Sequence, residues 1–119
     1  MFLPNAERAI IRFEKIHDYI LNEEHPKGKH KAAKLREATD LTNRDVNWVI
    51  TQIAKKIQAA EAEWHSTDAY GSRYTVTIDL EGWNGTLTVQ TAWIIREGED
   101  APDFTTLVPR EPRRGDKPP

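Results

Sequence analysis

Apolar positions recur along the chain with two different periods, and the change falls after Ser66. Ahead of it the spacing is three and four, as on one face of a helix. Ala9, Ile10 and Ile11 run into a first helix carrying Phe13, Ile16, Ile20 and Leu21. Residues 22–28 form a connector, with Pro26 and Gly28 as breakers. A second helix is predicted over 29–38, where Ala32, Leu35 and Ala38 recur at spacing three, with Thr39-Asp40 as a turn. The clearest element is a predicted helix from Leu41 to Glu63, about five to six turns long. Val46, Val49, Ile50, Ile53, Ile57 and Ala60 make its stripe, and Trp64 extends it. Thr42 is its N-cap, Asp45 completes a weak capping box, and Leu41 with Val46 occupies the staple positions.

Beyond Ser66 the period is two. Tyr74, Val76, Ile78 and Leu80 alternate with Arg73, Thr75, Thr77, Asp79 and Glu81. Asn84-Gly85 is a strong hairpin signal, and Leu87, Val89, Thr91, Trp93 and Ile95 form one face of the next strand. A two-residue turn at Asn84-Gly85 sets Leu80 opposite Val89, Ile78 opposite Thr91, Val76 opposite Trp93 and Tyr74 opposite Ile95. All apolar positions then share a face. A third strand is predicted at 104–108, after the acidic loop 97–103. There are no internal repeats. Helices followed by an antiparallel meander predict an α+β fold, with the N-terminal helices on one face of the sheet.

Composition bounds this picture. The 119 residues are 38% apolar and contain no cysteine. A chain of this size buries roughly two thirds of its unfolded surface and needs no disulfide or metal to fold. Residues 1–109 are expected to form one domain, and 110–119 a disordered Pro/Arg-rich tail. The longest purely apolar run is Ala92-Trp93-Ile94-Ile95, against the ~18–20 residues a membrane span needs. The N-terminus lacks the basic and apolar regions of a signal peptide, so a cytoplasmic protein with no membrane contact is expected. The separations of His17, His25, His30 and His65 match no helical metal spacing, so no metal and no cofactor is expected. His17 reads as a surface side chain, and His65 as a favourable charge at the end of the long helix.

The formal net charge of -2 argues against a nucleic-acid partner until its distribution is considered. Residues 64–109 hold two basic side chains, Arg73 and Arg96, against seven acidic ones. From Lys27 to Arg36, in contrast, Lys27, Lys29, Lys31, Lys34, Arg36 and His30 occur without an acid. Such a local cluster can hold phosphates in a protein that is acidic overall, or it can be a solvated helix face. His25 and His30 flank the basic loop. Like charge around a histidine disfavours its protonated form, which leaves a neutral imidazole to act as a base. Neighbouring ammonium groups then stabilise charge on a phosphorane-like transition state. One further polar residue stands out: Thr91 interrupts the apolar row between Val89 and Trp93, either bonded to backbone or facing a ligand. Arg73, after Tyr70-Gly71-Ser72, is a strand-end charge or a further candidate. Trp83 reads as a loop-tip aromatic.

Two resemblances sharpen these candidates. Leu3-Pro4-Asn5-Ala6, Tyr19-Ile20-Leu21-Asn22, His25-Pro26-Lys27-Gly28-Lys29-His30-Lys31-Ala32 and Ala92-Trp93-Ile94 resemble an uncharacterised family of small bacterial proteins, over about residues 3–108. The layout also resembles the toxin endoribonucleases of the colicin D type. Lys27-Gly28-Lys29-His30 is similar to that family's Lys-Phe-Lys-His at a helix, and Thr91-Ala92-Trp93 to its Ser-Gly-Trp on a central strand. Here Gly28 replaces an aromatic, Lys31 is inserted before Ala32, and Thr stands for Ser. The resemblance implies His30 as general base, Lys27 and Lys29 on the phosphate, Thr91 bonded to the substrate and Trp93 shaping the site. Lys31, His25 and Arg73 join as substrate-binding candidates. The function expected is metal-independent cleavage of tRNA or other structured RNA, held in check by a cognate antitoxin or immunity protein. The alternatives are a non-catalytic interaction module, itself an antitoxin, an immunity protein or a phage-associated domain, or an RNA-binding adaptor.

Overall fold

The computed structural model describes residues 1–110. A 3₁₀ turn (Ala6–Arg8) leads to α1 (Phe13–Lys15), which continues directly into a π-helical segment (Ile16–Ile20). Helix α2 (Lys29–Thr39), a 3₁₀ turn (Asn43–Asp45) and α3 (Val46–Lys56) follow. Strands β1 (Ala62–Asp68), β2 (Gly71–Gly82), β3 (Gly85–Arg96) and β4 (Asp103–Pro109) then form one antiparallel sheet in the order β1-β2-β3-β4. The fold is α+β, as the change of period predicts. No described helix is long and apolar enough to cross a membrane. The expected tail lies, past Arg110, outside the described residues.

The core lies between the helices and one face of the sheet. Ile16, Ile20, Leu35, Val49, Ile53 and Ile57 meet Val76, Leu80, Val89, Trp93, Phe104 and Leu107 there. A buried cluster of this kind supplies the main favourable term in folding, because apolar surface leaves water. Thr42 caps the 3₁₀ turn ahead of α3 as expected. Its hydroxyl accepts from the Arg44 N–H, and Asp45 accepts from the Thr42 N–H at 2.9 Å. Two donors that a helix start leaves unpaired are thus satisfied.

Two sequence expectations need correction. The predicted helix to Glu63 ends at Lys56, and its last residues belong to β1. The apolar stripe continues through Ile57 and Ala60, but the backbone finds other partners. The Ala62 N–H donates to the Met1 carbonyl at 2.7 Å, and the following residues pair with β2. Trp64, expected in the stripe, is exposed on that strand, with its indole N–H on the Thr67 hydroxyl.

The second correction concerns the hairpin. The observed pairs are Leu80 with Leu87, Ile78 with Val89, Val76 with Thr91 and Tyr74 with Trp93. Every partner therefore lies two residues earlier than expected. A slip of one residue turns the apolar face outward, but a slip of two does not, so alternation alone cannot separate the two registers. The contact with α2 separates them. Trp83-Asn84 forms the turn between the paired Gly82 and Gly85, and the Asn84 N–H donates to the Thr39 carbonyl at 3.2 Å. A Cβ on Gly82 would lie 2.1 Å from that carbonyl oxygen, and one on Gly85 2.3 Å from the Ala38 oxygen. Only glycines let the hairpin end approach the helix backbone so closely.

A charge lock fastens the N-terminal segment to the sheet. Ile10 bridges in parallel to Asp103, accepting from the Phe104 N–H at 2.9 Å and so covering the start of the edge strand β4. The Asp103 carboxylate, only 4% exposed, receives Arg12 on one oxygen and Arg96 on the other. Burial pushes its pKa up, but hydrogen bonds and charge from Arg12 and Arg96 outweigh it and hold the carboxyl below the usual range. A lowered folded pKa means a contribution complete above the unfolded value and lost as pH falls through the folded one. Asp103→Asn should cost about 1–3 kcal/mol at neutral pH, limited because both guanidiniums remain half in water. Urea titrations should show the wild-type advantage shrinking below about pH 4, the ordinary aspartate range. A gap that stays constant to pH 2 would show that the pairing does not carry it.

Candidate functional site

The basic loop is built on a histidine. The His25 Nδ1 accepts the backbone N–H groups of Lys27 and Gly28, each at 3.0 Å, and the His25 carbonyl accepts the Lys29 N–H. Its ring meets Tyr19 edge-on, centroids 4.8 Å apart. Both acceptor bonds need an unprotonated Nδ1, so this imidazole acts as a cap at the entry to α2. Gly28 is buried, and a Cβ there would stand 2.5 Å from the Tyr19 carbonyl oxygen. The glycine in Lys27-Gly28-Lys29-His30 therefore lets the loop press onto the end of the π segment.

The remaining side chains of the cluster divide into two sets. Lys31 turns inward: its Nζ donates to the Thr106 hydroxyl at 3.0 Å and lies 5.3 Å from the centre of the Tyr19 ring. It ties α2 to the edge strand β4 and adds a cation–π contact. Lys27, Lys29 and His30 turn outward. They are exposed, and their side chains have no hydrogen-bond or ion-pair partner among the described residues. Arg36 at the far end of the basic window is paired with Glu23 at 3.2 Å. The free positive charge is thereby concentrated at the helix start.

The structure does not bring Thr91 and Trp93 to this loop surface. Both belong to the core, 0% and 1% exposed. The Thr91 hydroxyl donates to the Val76 carbonyl at 2.7 Å and accepts the Trp93 indole N–H at 2.8 Å. Trp93 in turn packs edge-on against Phe104, centroids 5.4 Å apart. The polar residue in the apolar row is thus a satisfied core group. The hydroxyl and the indole N–H are thus both engaged within the core in this conformation, while Trp93 also contributes to the lining of a depression on the opposite face of the sheet.

The helix-free face of the sheet holds side chains that sequence reasoning did not assemble. Arg73 and Thr75 on β2 stand in register with Ile94 and Ala92 on β3. Together with His65 and Thr105 they line a depression of about 410 Å³. His65, expected beyond the end of a long helix, instead sits at an irregularity in the β1–β2 pairing, with its Nε2 2.7 Å from the Thr75 hydroxyl. Arg73 pairs with Asp68 at 2.8 Å. The Tyr70 backbone N–H and then Arg73 hold the Asp68 carboxyl below its usual range, against the opposing effect of desolvation. The alternating polar positions Arg73 and Thr75 were the available signal for this face. A helix expected to run to Glu63 places His65 at its end and so apart from them.

No group of three His, Asp or Glu side chains among the described residues is arranged to hold a metal ion. Searches of the curated proteins and of the solved structures return no match. A family model, described as a domain of unknown function (DUF6883), matches residues 2–111. The Leu-Pro-Asn-Ala, His-Pro-Lys-Gly-Lys-His-Lys-Ala and Ala-Trp-Ile segments all fall within this span, and the chain belongs to that family.

Proposed function

We propose that the domain is a metal-independent endoribonuclease toxin that cleaves tRNA or another structured RNA and is neutralised by a cognate antitoxin or immunity protein. One observation carries this reading. His30 is exposed and unpartnered among the described residues, in the first turn of α2 beside Lys27 and Lys29, where His25 and Gly28 brace the entry to the helix. In the proposed reaction His30 takes the proton of a ribose 2′-OH. The 2′-oxygen forms its bond to phosphorus, and the bond from phosphorus to the 5′-oxygen breaks. A lysine ammonium of the loop returns a proton to the departing oxygen. The lysines also offset charge on the phosphoryl oxygens, the role that preorganised cations serve in such transition states. A base fixed on a capped helix start suits this role, because misplacing a base by 1 Å can cost about 100-fold in rate. An acidic partner surface would complement the cations at the start of α2.

Purified full-length chain incubated with total bacterial RNA in EDTA is expected to yield fragments ending in 2′,3′-cyclic phosphate. Salt-dependent RNA binding without cleavage would replace this reading with that of an adaptor. A second reading, a non-catalytic interaction module, draws on the exposed, stacked Trp48 and Trp83, whose rings lie 5.9 Å apart. Exposed aromatic anchors of this kind favour protein interfaces. Neither cleavage nor RNA binding, together with capture of a second protein, would favour it.

A further inference from the structure

We propose that the depression on the helix-free face of the sheet is a nucleotide subsite, holding one nucleotide of the RNA strand engaged by the basic loop. The inference rests on the endoribonuclease reading for its ligand, but on separate residues for its geometry. The depression, about 410 Å³, falls within the roughly 300–1,000 Å³ typical of small-ligand sites. Ala92 and Ile94, in register with Thr75 and Arg73, supply apolar lining against which a base can lie. The rim carries the guanidinium of Arg73, the imidazole of His65 and the hydroxyls of Thr75 and Thr105. An apolar lining with a few convergent polar groups and one cation matches a base with an attached phosphate.

Arg73 remains able to donate. Asp68 is held by one terminal nitrogen, and a guanidinium carries five N–H donors in a planar fork. Thr75 fixes His65 through Nε2, which leaves Nδ1 with no partner among the described residues. The nearby carboxylates are Asp68, paired with Arg73, and Glu63, in register with Thr75.

Two neighbouring residues of β4 connect the depression to the basic loop. Thr105 lines the depression, while Thr106 holds Lys31 and stands in register with Ala92 of the lining. A strand leaving the depression across this edge of the sheet therefore meets Lys31 and then the cations at the start of α2. A positively charged track that follows the backbone is a general part of single-strand binding.

The test is an NMR titration of the full chain with a mixture of 3′-ribonucleoside monophosphates, which needs no turnover. The expected result is shifts in the amides of Arg73, Thr75, Ala92, Ile94 and Thr105. The Arg73→Gln and His65→Gln variants, which keep a polar side chain at each position, should bind about tenfold or more weakly. Shifts confined to residues 25–31, or unchanged affinity in Arg73→Gln, would overturn the subsite. If RNA is still cleaved in EDTA in that case, the endoribonuclease reading stands and this inference alone fails. Shifts on the open face that disappear in Arg73→Gln support the subsite. If the wild type then cleaves no RNA, it is the endoribonuclease reading that fails.

Discussion

The His30→Ala variant should lose about 100- to 10,000-fold in kcat/KM for RNA cleavage, the usual contribution of a general base. Its thermal midpoint should hardly move, because an exposed side chain without a partner contributes little to stability, typically within about 0.5 kcal/mol. His25 in the loop and His30 at the start of α2 give opposite signatures. His25→Ala deprives the Lys27 and Gly28 N–H groups of their acceptor. It should cost about 1 kcal/mol, as other cap deletions do. It should lower cleavage only as far as it loosens the loop. Cleavage in EDTA followed beside calorimetry separates the two roles. Full activity in the folded His30→Ala variant would remove His30 from the chemistry.

The largest stability effect is expected at Trp93. Replacement by alanine should cost about 3–5 kcal/mol, the range for a large aromatic removed from a core. Three contributions add: the cavity, the lost edge-on contact with Phe104, and the lost indole donor to the Thr91 hydroxyl. For a domain of this size that is a large share of the ~5–15 kcal/mol by which folded proteins exceed their unfolded states. Trp93→Phe is the informative companion. It keeps the ring against Phe104 but removes the N–H, and should cost about 0.5–1.5 kcal/mol for one net hydrogen bond plus any loss in fit. Cleavage by the folded phenylalanine variant should match wild type. A marked loss of cleavage in that variant, at nearly unchanged stability, would assign Trp93 a role in the site.

Much of the architecture follows from short-range pattern. The hydrophobic period changes from helix to strand, the capping box at Thr42 and Asp45 marks a helix start, and the helix predicted over 29–38 corresponds to α2. These features depend on residues within one or two turns of each other, so local sequence carries them. The acid-free run around Lys27–His30 was legible for the same reason. The inward turn of Lys31 was not, since it depends on Tyr19 and on Thr106, 75 residues further along.

Tertiary structure decided what pattern leaves degenerate. A strand that follows a helix stripe without a break looks like more helix. Here, the first residue of the chain accepting from Ala62, and β2 pairing beside it, made residues 62–68 a strand. That change moved His65 from a helix end to the open sheet face. Two hairpin registers that differ by two residues bury the same side chains, and the approach of Gly82 and Gly85 to the end of α2 selected one. A threonine in an apolar row has the same sequence signature whether its hydroxyl meets a ligand or a neighbour. The Val76 carbonyl and the Trp93 indole N–H occupy that hydroxyl, because burial leaves no water to satisfy it and the fold must supply both partners itself.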